Sequence, residues 1–130
     1  MTPEFLDRDI VMDIHRESLA RHGGIDGLRD ENAFLSALAA AENTYFYGSG
    51  DLHDIAASYA FHLAESQAFL DGKKRTGIGA ALTFMLLNGC VDEGDDLALY
   101  DAMIAIARHE LDKDGMAALL RGQFPVRTDP

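Results

Sequence analysis

Apolar residues recur along nearly the whole chain at three- and four-residue intervals, the spacing of one face of an α-helix. Ile10, Val11, Ile14 and Leu19 follow a candidate cap at Asp7, and Gly23-Gly24 closes that segment. Asp30 opens a second helix carrying Phe34, Leu35, Leu38 and Ala41. Asp51 opens a third with Ile55, Ala56, Tyr59, Ala60 and Leu63 on one face. A fourth begins near Lys74 and runs through Ile78, Ala81, Leu82, Met85 and Leu86 to Asn88-Gly89. It is apolar nearly all round, and its Gly77, Gly79, Ala80 and Ala81 allow close approach by a neighbour. A fifth follows Asp95-Asp96, with Leu97, Tyr100, Met103, Ile104 and Ala107, and a short sixth spans about 113–120 after Asp112. Only Thr44–Tyr47 offers a short hairpin, and no internal repeat is present. The expected fold is all-α: one compact domain over residues 1–130, about six helices around a central apolar helix at about 74–88. Residues 123–130 are expected to be a flexible tail.

Composition narrows the function classes. The 130 residues include 22 acids and 11 bases, a formal net charge of −11. Such a surface repels duplex DNA and anionic lipid, so neither direct DNA binding nor membrane association is expected. No apolar run reaches membrane-spanning length. The first residues lack the pattern of a secretory signal, and the single cysteine, Cys90, forms no internal disulfide, so a cytoplasmic location is expected. Cys90 sits between Gly89 and Val91 after an apolar run, which favours a small buried hydrophobe over a nucleophile.

Against that acidic background, Lys73, Lys74 and Arg75 are adjacent. They follow Asp71-Gly72 and open the fourth helix. Gly72 permits positive φ or close backbone approach, and the N–H groups after it are unpaired donors that favour an anion. Arg75 can engage two phosphate oxygens at once, and Asp71 is a hard ligand suited to magnesium beside phosphates. Residue spacing leaves two readings open, a phosphate cradle or a solvated turn at a helix end.

The segment Gln67–Arg75 resembles the signature of the Fic/Doc (Fido) family, His-x-Phe-x-Asp-(Gly/Ala)-Asn-Lys-Arg. Phe69, Asp71, Gly72, Lys74 and Arg75 match it in place, five of seven defined positions. Gly23-Gly24, Gly27-Leu28-Arg29-Asp30 and Leu35-Ser36-Ala37-Leu38 resemble the Doc (death-on-curing) branch of small toxins, as do 57–63 and 76–89. The likeness covers roughly residues 5–120. It implies a transferase that moves a phosphate or AMP from ATP or another nucleoside triphosphate, with Mg²⁺, to a hydroxyl of a target protein. For the Doc branch that target is a translation factor. By the same resemblance Asp71 would hold the metal, Gly72, Lys73, Lys74 and Arg75 would bind phosphate, and Phe69 would anchor the loop. Thr44, Tyr45, Phe46 and Tyr47 are the candidate target-aligning flap; an aromatic plug over the core is the equal alternative. Doc-type chains lack an inhibitory helix of their own, and its Ser/Thr-x-x-x-Glu-(Gly/Asn) pattern is absent here. The resemblance therefore implies a cognate antitoxin that supplies the inhibitory segment.

Two positions depart from the signature. Gln67 replaces the family's histidine base, and an amide has no useful basicity near neutral pH. Lys73 replaces the asparagine, keeping a donor while adding charge and reach. No other residue is an obvious base. His62 lies about 140° around the helix from Gln67, and His53 is near the flap candidate. Glu65 could act only through water, while His15, His22 and His109 sit on other helices with no motif to support them. Two functions follow: an active Doc-like transferase toxin, or a non-catalytic relative that binds a nucleotide, phosphate ligand or protein partner.

Overall fold

A computed structural model describes residues 2–127 and consists of six α-helices. They are α1 (Arg8–His22), α2 (Glu31–Phe46), α3 (Leu52–Glu65), α4 (Lys73–Leu87), α5 (Asp96–Ala107) and α6 (Lys113–Gln123). Five begin where a carboxylate accepts from a first-turn N–H: Asp7, Asp30, Asp51, Asp95 and Asp112. Each satisfies a donor that the helix start leaves unpaired. The exception is α4, which begins at Gly72 with φ +80° and ψ 15° and has no side-chain cap among the described residues.

The centre is shared by two helices. The expected central helix, α4, packs against α1, α3 and α5; α3 packs against α2, α4, α5 and α6. The small residues of α4 make this possible. A Cβ at Gly77 would lie 2.9 Å from the Ala60 carbonyl oxygen on α3, and one at Gly79 would lie 2.7 Å from Ile14 Cγ2 on α1. Phe34, Ile55, Tyr59, Leu63, Phe84 and Met85 are fully buried in the resulting core. The Tyr59 hydroxyl accepts from Leu6 N at 2.9 Å, and burial pushes its phenol up to about 12.

Three expectations change. Thr44–Phe46 is not a hairpin but the last turn of α2: Tyr47 N–H donates to Asn43 O at 2.9 Å and Thr44 Oγ1 to Ala40 O at 2.9 Å. Helical backbone bonds continue there because Tyr45 and Phe46 pack on Phe5, with ring centroids 5.9 and 5.7 Å away. Next, α6 runs beyond residue 120 to Gln123. Last, the stretch expected to be a loose tail is docked as far as 127. Phe124 is buried, His53 Nε2 donates to its carbonyl at 2.6 Å, and Arg127 N–H donates to Gly89 O at 3.1 Å. Residues 128–130 of that expected tail lie outside the described residues. Among the described residues, pairing of β type is confined to two isolated bridges, Leu28 with Phe69 and Cys90 with Val126. None of the described helices is long and apolar enough to cross a membrane.

Candidate functional site

The polypeptide between α3 and α4 is held from two sides. On one side the loop before α2 runs antiparallel to it: Arg29 N–H donates to Ala68 O at 2.7 Å and Leu70 N–H to Gly27 O at 3.3 Å. On the other side α1 and the turn that ends it grip Asp71. Ile25 N–H donates to Asp71 Oδ2 at 2.8 Å, and His15 Nε2 donates to the Asp71 carbonyl at 2.8 Å. Phe69 lies between, stacked on the His15 ring (centroids 4.1 Å, planes 17° apart) and packed on Phe34 at 5.3 Å. Phe69 is 3% exposed.

This bracing presents the start of α4 to a cavity of about 460 Å³. Gln67, Phe69, Asp71, Gly72, Lys73, Lys74 and Arg75 line it together, so the structure gathers every motif residue singled out in the sequence. The opposite wall comes from Tyr100, Met103 and Ile104 of α5, and the rim from Arg29. The N–H groups of Gly72, Lys73, Lys74 and Arg75 have no partner among the described residues; Thr76, bonded to Gly72 O at 2.9 Å, is the first engaged. Left-handed Gly72 makes the turn, and a Cβ there would come within 3.3 Å of Leu19 Cδ2.

The local charge is opposite to that of the whole chain. Arg29, Lys73, Lys74 and Arg75 all line the cavity, against Asp71 as its one lining carboxylate. Among the described residues none of these four cations forms an ion pair, whereas Arg8, Arg16, Arg21 and Arg121 all do. Unpaired cations beside open helix-start donors favour an anion of several charges. No cluster of three potential metal-ligating side chains occurs among the described residues. A cation at Asp71 would therefore draw its remaining ligands from a bound anion or water, as magnesium does beside phosphates. One Asp71 oxygen is taken by Ile25 N–H; the other has no partner among the described residues.

The alternative bases lie elsewhere. His62 is half-buried and does not line the cavity, and burial, then Lys113, hold its imidazole below the ordinary range. His53 is committed to the Phe124 carbonyl, and Glu65 and His109 are outside the cavity lining. His22 lines a second hollow of about 720 Å³ between α1, α4 and α5, which shares Arg75, Ile78 and Tyr100 with the first. The flap candidates Thr44, Tyr45, Phe46 and Tyr47 do not line the cavity; Tyr45 and Phe46 pack on Phe5, which in turn stacks on Phe84 of α4. Cys90 is buried, and burial pushes its thiol up, as suits a packing residue.

Two site residues escaped the sequence reading. His15 follows Val11 by four residues on the buried side of α1, a spacing that marks it as facing inward. Arg29 stands in the Gly-x-Arg-Asp segment but had no role until the bridge of Leu28 to Phe69 brought it to the cavity. Its Nη1 donates to Gln67 Oε1 at 3.4 Å.

The family model "Fic/DOC family" matches residues 5–85, which include the whole cradle. Two curated relatives are similar over most of the chain. "Toxin Doc" of Mycolicibacterium smegmatis (strain ATCC 700084 / mc(2)155) is 34% identical over 129 residues, 92% of this chain and 92% of its own length. "Protein kinase doc" of Escherichia phage P1 is 28% identical over 109 residues, 83% of this chain and 86% of its own.

Proposed function

This chain belongs to the Fic/Doc family, and on that premise we propose that it is a Doc-like toxin that binds a magnesium-nucleotide in the α4 cradle. It transfers a phosphate or AMP to a hydroxyl of a protein target, and a cognate antitoxin restrains it. The observation that carries this reading is the uncapped start of α4. Among the described residues, four N–H groups without a partner and four cations without an ion pair meet there beside one carboxylate. The names of the two relatives, a protein kinase and a toxin, support the class of activity.

In this reading the N–H groups of Gly72 to Lys74 receive phosphate oxygens, and Arg75 holds two more through its planar fork. Asp71 is the residue to hold magnesium, which when bound neutralises phosphate charge. Lys73 and Lys74 add point charges that oppose the charge spreading over the transferred group. The apolar wall of Met103 and Ile104 suits the uncharged part of a nucleotide. The entering hydroxyl belongs to the target, a translation factor by family likeness. As its oxygen bonds to phosphorus, the bond to the departing ADP (phosphate transfer) or pyrophosphate (AMP transfer) breaks and the hydroxyl proton passes to water. Gln67 stands where the family's base stands and cannot take that proton. Positioning and electrostatics are then the chain's main contributions, and transfer is slower by about 10²–10⁴ than with a base.

A second reading is a non-catalytic relative that retains the cradle for nucleotide or phosphate binding. The contact from Arg29 to the Gln67 oxygen favours it, because it engages one of that oxygen's two acceptor sites with a cation and holds the amide away from a base's role. One experiment separates the two. The protein is incubated with magnesium, ATP labelled at the α or γ phosphate and a cell extract, beside Arg75→Ala. Label transferred only by the unaltered protein supports the transferase. Magnesium-dependent ATP binding without transfer supports the binding protein, and absence of both overturns the cradle reading.

A further inference from the structure

We infer that His15 is a positioning residue for the anion cradle, locking the peptide between Asp71 and Gly72 so that the Gly72 N–H is offered to the ligand. The inference rests on the reading of the α4 start as a phosphate cradle and adds a residue on α1 that lies outside the signature. His15 is completely buried. A carbonyl oxygen only accepts, so the 2.8 Å contact with the Asp71 carbonyl fixes the proton on Nε2. Nδ1 is then a bare lone pair, and it is buried without a partner among the described residues.

Leaving a buried ring nitrogen unpaired is costly, and Phe69 already has Phe34 to pack against. A ring of carbon alone would stack on Phe69 equally well without that cost. What the imidazole adds is a donor to one carbonyl. In a trans peptide the carbonyl and the following N–H point in opposite directions. Holding the Asp71 carbonyl toward α1 therefore turns the Gly72 N–H away from α1. Asp71 and Gly72 line the cavity, His15 does not, and the Gly72 N–H is unpartnered among the described residues. His15 lies close behind Gly72, with Nε2 3.7 Å from where a Cβ would be. The ring thus backs the left-handed turn that aims the next N–H groups.

The test uses two variants of the full chain. His15→Phe keeps a stacking ring without the donor, and His15→Gln keeps a donor at similar reach without the ring. Affinity for inorganic pyrophosphate and for magnesium-ATP is measured by calorimetry, and the Gly72 amide is followed by NMR with exchange rates. His15→Phe is expected to bind about 10-fold more weakly, the worth of about one well-placed hydrogen bond, and to shift the Gly72 amide and speed its exchange. His15→Gln is expected to stay within about 3-fold of the unaltered protein, whichever variant has the lower melting temperature. If His15→Phe does not fold, His15→Leu, equally without a donor, takes its place. Equal affinity in the donor-less and unaltered proteins, with an unmoved Gly72 amide, overturns the inference. If the unaltered protein binds neither ligand, the cradle reading fails, and the Gly72 amide alone decides whether His15 locks the peptide.

Discussion

Arg29 Nη1 donates to Gln67 Oε1 across 3.4 Å, tying the loop before α2 to the position where the signature has a histidine. A guanidinium can only donate, so the oxygen of the amide must face it and the NH₂ turns elsewhere. Gln67 thus gives the cavity a donor where the family chemistry asks for an acceptor. Gln67→His is expected to raise transfer of label from ATP to protein by about 10²–10⁴, the usual worth of a general base. Radiolabel incorporation at saturating ATP checks it. No gain, with nucleotide binding intact, would mean that the site departs from an active one in more than its base.

A substitution at Asp71 tests the proposed metal binding apart from loop structure. Asp71→Asn keeps an oxygen to accept from Ile25 N–H and removes the charge that a cation needs. Affinity for ATP is expected to fall about 10-fold in the presence of magnesium and to change little in its absence. Calorimetry with and without the metal gives the comparison, and equal losses in both would exclude Asp71 as a metal ligand.

Two glycines on different helices should respond in opposite directions. A methyl at Gly77 meets the Ala60 carbonyl oxygen at 2.9 Å, a backbone atom that cannot swing aside. Gly77→Ala is expected to cost about 1–3 kcal/mol as α3 and α4 are pushed apart. At Gly122, inside α6, an added Cβ meets nothing within 4 Å. Gly122→Ala is expected to stabilise by about 0.5–1 kcal/mol, through a less flexible unfolded chain and better helix propensity. Urea midpoints of both variants test the pair together.

The helices were legible in the sequence because their signals are local. The carboxylate caps at Asp7, Asp30, Asp51, Asp95 and Asp112 are each one side chain acting on its own first turn. The motif residues were legible for the same reason, being consecutive from Gln67 to Arg75. What was hidden depends on chain crossings. His15 and Asp71 are 56 positions apart, and Arg29 and Gln67 are 38 apart. No periodicity couples such pairs; the bridge of Leu28 to Phe69 and the packing of α1 on α4 do. Thr44–Tyr47 misled because its aromatics carry strand propensity, whereas burial against Phe5 favours continuing the helix. Docking of residues 124–127 was missed because the acceptor for buried His53 is a backbone carbonyl, which leaves no trace in residue type.

The closing contact of α6 on α3 makes stability sensitive to acid. Arg121 donates to Asp51 Oδ2 at 3.0 Å and to Asp54 Oδ1 at 2.7 Å, joining the end of α6 to the capping box of α3. Burial pushes the Asp51 carboxyl up, but hydrogen bonds from Arg121 and the Asp54 backbone outweigh it. They lower it from the ordinary 3.8 to about 2. A carboxyl held lower in the folded chain than in the unfolded one stabilises fully above the unfolded value, and that stability is lost as pH falls toward the folded value. The window is therefore about pH 4 down to about pH 2. Asp51 is half exposed at 52%, so solvent screening limits the contribution to about 0.5–1 kcal/mol. Asp51→Asn retains a capping oxygen while losing the charge. Compared with the unaltered protein, it should be less stable by that amount near pH 7 and nearly equal near pH 2. Urea unfolding at the two pH values measures both differences; a penalty that persists at low pH would assign the loss to cap geometry and not to the ion pair.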